Sequence, residues 1–172
     1  MIFIEHTLTW CRGEILEGKI VLAYAFGLIV MSFLIWKFSS ITSQKVLFIP
    51  LLISAVFYLG IGSTLWISNA KQVEKYQVDY KKDPVAFVQN EKIRTDKFIN
   101  RYPKTAWSFI IISILALFFY VLSDKSYIQA LSLGILLFCF SGLVVDYFSK
   151  ERAAIYSENI KKELIRLNLS HT

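Results

Sequence analysis

Hydrophobic residues in this chain run in blocks instead of alternating with polar ones. Stretches without a charged side chain cover residues 20–36, 46–70, 105–123 and 126–145. A helix needs roughly 17–25 apolar residues to cross the roughly 30 Å hydrocarbon layer of a bilayer. The first block, with 17 residues, is the shortest. Lys19 and Lys37 flank it, and their apolar stems can reach outward to the polar zone. The pattern predicts an all-α membrane protein with four transmembrane helices arranged as two hairpins.

Between and beyond the blocks the period changes to that of amphipathic helices. No Gly or Pro occurs between Ser63 and Asp83, and Val73, Tyr76 and Tyr80 share one helical face. The second span is therefore expected to continue out of the membrane to about Lys82, a rod of roughly 55 Å at 1.5 Å per residue. Asp83–Pro84 reads as an N-cap followed by a proline at the first helical position, where its missing N–H costs nothing. A second helix should run from there to about Tyr102. From Leu143 to the end Gly and Pro are again absent, and Tyr156, Ile160, Leu164 and Leu167 form an apolar face that should prolong the fourth span. The first 18 residues mix Ile2, Phe3, Ile4, Leu8, Trp10, Ile15 and Leu16 with charges, as in a short helix lying in the interface. Gly13 and Gly18 are expected to turn it into the first span. The chain thus divides into an interfacial helix over 1–18, a transmembrane hairpin over 19–70 and a cytoplasmic helical elbow over 71–104. A second hairpin over 105–148 and a cytoplasmic C-terminal helix over 149–172 complete it.

Composition agrees: 55% of the 172 residues are hydrophobic, and the mean hydropathy of +0.50 is too high for a soluble domain of this size. Charge adds the orientation. Sixteen of the nineteen Lys and Arg residues fall in the N-terminal stretch, the 71–104 loop and the tail, against three (Lys37, Lys45, Lys125) in the other two connections. The positive-inside rule then places both termini and the elbow in the cytoplasm of a cell with an inner, plasma membrane. Trp66 and Trp107 would mark the inner interface, Trp36 and Tyr127 the outer. The net charge of +6 is accounted for by this orientation against an anionic leaflet, so no nucleic-acid partner is expected.

Candidate chemistry is sparse. Cys11 and Cys139 fall on different segments and build neither a disulfide framework nor a zinc site. His6, Glu5, Cys11 and Glu14 do not converge on one helical face, so no metal is expected. No phosphate-binding glycine loop, H-E-x-x-H or G-x-S-x-G occurs, which points away from an enzyme and from a cofactor. Arg166 and His171 have the arginine–four residues–histidine spacing and in that one motif resemble HEPN ribonucleases. Asp146 is the one carboxylate close to a span, with Lys150 four residues on as its expected partner.

Small residues in the spans permit close helix contact. Gly60, Ser63 and Thr64 in the second span and Ser141 and Gly142 in the fourth are the packing or pore candidates, with Ser54 a further hydroxyl for a pore axis. The first functional expectation is a homo-oligomer that forms or gates a pore under control of its cytoplasmic helices. The alternative is a regulatory or immunity-type membrane subunit that binds a partner protein without conducting. Four-span immunity proteins against pore-forming toxins resemble it in size and layout. The interaction face would then be Phe87, Phe98, Ile160 and Leu164 on the cytoplasmic helices.

Overall fold

The computed structural model describes residues 3–40 and 45–169, which form five helices: α1 (Phe3–Phe38), α2 (Phe48–Lys82), α3 (Pro84–Ile99), α4 (Tyr102–Leu122) and α5 (Ser126–Leu169). Four helical stretches are long and apolar enough to cross a membrane, one in each of α1, α2 and α5 and one centred on α4. His171 lies outside the described residues, so the Arg166–His171 spacing has no structural counterpart here.

The absence of helix breakers has the expected result. α2 is a single 35-residue rod and α5 a single 44-residue one, each extending well past its apolar block. The elbow between α2 and α3 is capped as the sequence suggests. Asp83 is extended, and its side-chain Oδ1 accepts the Ala86 N–H at 2.9 Å, with Pro84 in the first turn.

The N-terminus differs from expectation. Residues 3–18 do not form a separate interfacial helix: α1 runs unbroken for 36 residues through both Gly13 and Gly18. The glycines provide room instead of a turn. A Cβ on Gly18 would stand 2.9 Å from the Gly62 carbonyl oxygen and 2.7 Å from the Trp66 nitrogen, both on α2. A Cβ on Gly13 would stand 2.9 Å from the Arg152 side chain of α5. An extension of α1 beyond its apolar block thus joins those of α2 and α5.

α1 and α2 pack along their length as the first hairpin, and α4 and α5 form the second. The second closes at Gly142, whose missing side chain admits the Phe109 ring to within 2.6 Å of an ideal Cβ. α5 joins the two hairpins. Gly134 receives Pro50, Tyr58 donates its hydroxyl to the Phe138 carbonyl oxygen at 2.7 Å, and Tyr24 meets Ser141 Oγ at 2.6 Å. The Phe138 ring touches Phe57, Tyr58 and Phe109 at centroid distances of 5.0, 5.4 and 6.0 Å. α4 stands outside this arrangement, packed on α5 and burying a single residue, Ala116.

Candidate functional site

The ends of α1, α2 and α5 that extend beyond the apolar spans enclose α3 around an aromatic core. Phe3, Cys11, Tyr76, Phe87, Val88, Tyr156 and Ile160 are buried there, with Trp10, Val73, Tyr80 and Leu164 packed against them. Phe87, Glu91 and Thr95 recur every fourth residue of α3 and so face inward together, all three buried. A carboxylate is thereby carried into an apolar core, where it must be paired.

Glu91, 4% exposed, meets two partners. Arg94 grips both its oxygens, with Nε on Oε1 at 2.9 Å and Nη2 on Oε2 at 2.5 Å. Tyr156 of α5 donates its hydroxyl to Oε2 at 2.8 Å. Because that proton is committed, Thr7 of α1 is the donor in its 3.0 Å bond to the Tyr156 oxygen. The Arg94 guanidinium lies 4.5 Å from the Trp10 ring, 5.3 Å from Tyr76 and 5.5 Å from Phe98. One buried ion pair therefore ties α1, α2, α3 and α5 together. Burial opposes the charge on Arg94, but the hydrogen bonds and charge of Glu91 outweigh it and raise its pKa further. Burial and the neighbouring Glu91 also drive the Tyr156 hydroxyl far above the usual phenol range.

A second cluster lies nearer the membrane. Glu14 and Glu17, three apart on one face of α1, are both 7% exposed and share Arg152 of α5. Arg152 reaches Glu14 Oε1 from Nε at 3.3 Å and Nη2 at 3.1 Å, and pairs with Glu17 as well. Ser149 donates to Glu17 Oε1 at 2.8 Å. Burial pushes the Glu14 carboxyl above its ordinary value, with Arg152 and Arg94 pulling the other way. Between the two clusters is a cavity of about 260 Å3, walled by Trp10, Glu14, Asn69, Arg94, Phe98 and Tyr102 among others.

The residues singled out from sequence are scattered. Gly142 and Ser141 are spent inside the chain, the first on Phe109 and the second on Tyr24 and the Leu137 carbonyl. Gly60 faces open space, with nothing within 4 Å of an ideal Cβ; Thr64 is exposed and bonds back to the Gly60 carbonyl, and Ser63 is half-buried. Ser54 bonds to its own helix at Pro50. Phe87 and Ile160 are buried in the intrachain core, and Phe98 and Leu164 are half-buried beside it. They hold the bundle together and do not form an external face. Asp146 feels the charge of Lys150, but no ion pair within 4 Å joins them. His6 contacts Asn159 at 3.4 Å, and among the described residues no three His, Cys, Asp or Glu side chains gather as metal ligands.

Glu91, Arg152, Glu17 and Tyr156 were not singled out for chemistry in the sequence. The signals were present: Glu14 and Glu17 one turn apart, and Glu91 in register with the apolar Phe87. No protein-family model matches the chain, and no curated protein or solved structure matches it.

Proposed function

We propose that this chain is a non-enzymatic, non-conducting subunit of the plasma membrane, with both termini and the elbow in the cytoplasm, that acts through contact with another protein. The observation carrying this reading is α4. This 21-residue helix packs on α5 through Phe109 but fully buries only Ala116. It leaves Trp107, Ile111, Ile114, Leu117, Phe118 and Val121 between 52% and 71% exposed for lipid or a neighbouring helix. The cytoplasmic bundle, clamped by Glu91–Arg94 and Arg152, is built on the continuous helices α1 and α5, which connect it to a contact made in the membrane.

Hydroxyl accounting speaks for the non-conducting form. Ser32, Ser54, Tyr58, Thr64 and Ser141 each spend their hydroxyl on a carbonyl, and Tyr24 pairs with Ser141. None of them is left to line a pore within one chain. Catalysis finds no support in Cys11, whose thiol burial pushes up to about 12, nor in Thr7, which is fully buried.

Self-association is the second reading. It is favoured by the open face at Gly60, where a helix of another copy could approach closely. A photo-cross-linker at Ile114 or Leu117 in native membranes tests the choice. Partner contact gives one discrete heterologous adduct. Adducts at twice the chain's own mass would favour self-association, and adducts with lipid alone would overturn both.

A further inference from the structure

Five charged side chains form a row from near the inner membrane interface to the centre of the cytoplasmic bundle: Glu17, Arg152, Glu14, Arg94 and Glu91. Arg152 pairs with Glu17 and Glu14, Arg94 pairs with Glu91, and Arg94 and Glu14 wall the same cavity. The signs alternate, and the row begins and ends on a carboxylate. Three anions thus share two guanidinium groups, and one negative charge has no counter-ion within the row. Each carboxylate is at least nine-tenths buried, where an uncompensated charge is strongly unfavourable.

Glu14 is the carboxylate of the row that walls the cavity. Both hydrogen bonds from Arg152 fall on its Oε1, and its Oε2 accepts none from a described residue. Across the same space stands Asn69, 7% exposed, which gives its Nδ2 to the Leu65 carbonyl at 2.8 Å and whose Oδ1 accepts no hydrogen bond from a described residue. Trp10, Phe98 and Tyr102 supply aromatic walls. Arg94 also borders the cavity, but both oxygens of Glu91 already answer its charge. Two unused acceptors, one of them anionic, beside aromatic rings are the complement of a cation that carries several N–H donors.

We infer that this cavity is a binding site for a primary ammonium group, held between Glu14 Oε2 and Asn69 Oδ1. At about 260 Å3 it admits a group the size of ethanolamine. Its wall includes Thr64 and Leu65, beside the interfacial Trp66, so the ammonium can come from an aminophospholipid headgroup of the inner leaflet or from a free amine. The inference does not depend on whether the chain binds a partner or forms a pore.

The test uses the full chain in nanodiscs. One arm titrates ethanolamine into protein in phosphatidylcholine nanodiscs, with 1-propanol as the uncharged control, and reads affinity by calorimetry. The other compares thermal stability in nanodiscs of phosphatidylcholine alone with nanodiscs containing phosphatidylethanolamine. The expected result is stabilisation in at least one arm, no response to 1-propanol, and a loss of affinity of more than tenfold in Glu14→Gln. Response to ethanolamine in solution identifies a free-amine site; response to the lipid alone identifies a headgroup site. Asn69→Leu, which keeps every charge of the row, should also lose binding, so a folding defect in Glu14→Gln would not leave the question open. No response in either arm, or an affinity unchanged in both variants, overturns the assignment.

Discussion

Replacing Arg94 by methionine isolates the role of the buried ion pair. Methionine keeps an apolar stem against Trp10 but removes the guanidinium, leaving Glu91 at 4% exposure with the Tyr156 hydroxyl as its remaining hydrogen bond. Breaking a buried pair by removing one partner costs about 3–5 kcal/mol. The Arg94 side chain is 24% exposed, so water can reach part of the site and the lower figure applies, about 3 kcal/mol. Loss of the stack on Trp10, worth roughly 0.5–1 kcal/mol, falls within that sum. Against a total stability of roughly 5–15 kcal/mol this is a large loss. The companion Glu91→Met/Arg94→Met double variant removes both charges, and pairs replaced by apolar residues of similar volume are often close to neutral. Its remaining cost is the acceptor lost to Tyr156, about 1–3 kcal/mol at most because that hydroxyl can turn its proton to Thr7 Oγ1, 3.0 Å away. Denaturant unfolding of the nanodisc-bound protein, followed by tryptophan fluorescence, measures wild type and both variants. The double variant should be more stable than Arg94→Met. A single variant within about 0.5 kcal/mol of wild type, the usual range for neutral surface substitutions, would refute the reasoning, as would a double variant no better than the single.

Glu14 should give stability a pH dependence. Its carboxyl, facing Arg152, Arg94, Glu17 and Tyr102, is raised by burial above the ordinary 4.5, so the folded chain binds its proton more tightly than the unfolded one. That contribution is complete below 4.5 and is lost as pH rises through the higher folded value. Wild type should therefore gain stability on acidification from neutral pH in a way that Glu14→Gln does not, which thermal melts at several pH values would reveal. Glu14→Gln titrating like wild type would count against it. At the helix crossing, Gly62→Leu should destabilise the first hairpin by about 1–3 kcal/mol or more, since even a Cβ there meets Gly18 and Leu22 at 2.9–3.0 Å. Gly60→Leu should leave monomer stability unchanged, and the pair of unfolding curves checks this. Cysteines placed at Ser40 and Ser126 should be labelled from outside intact cells by an impermeant reagent, and those at Gln89 and Lys161 should not. Cys11 and Cys139 are fully buried and add little background.

Much of the architecture is written locally. Charge-free blocks of membrane-spanning length, the Asp83–Pro84 cap and the breaker-free stretches before Asp83 and after Leu143 each act within a few residues, and each produced the helix expected of it. Gly13 and Gly18 misled because a glycine in a helix has two uses, turning and close approach. The choice depends on Arg152 and Gly62, residues 139 and 44 positions away on other helices. Gly60 and Gly62 make the same point within one helix. They are two residues apart and so face different ways, one open and one against Gly18. The charged row was hardest to read, because it draws Glu14 and Glu17 from α1, Glu91 and Arg94 from α3 and Arg152 from α5. Periodicity assigns each to a helical face, but pairing across helices is tertiary information.

Conduction by the purified chain is the most direct test of the proposed function. Reconstituted alone in liposomes at a range of protein-to-lipid ratios, the protein should pass neither cations nor anions across the membrane, because Ser32, Ser54, Tyr58, Thr64 and Ser141 spend their hydroxyls on carbonyls of the same chain. Steady ion flux that rises with protein density, and that Gly60→Leu abolishes, would contradict the account and establish a pore built from several copies.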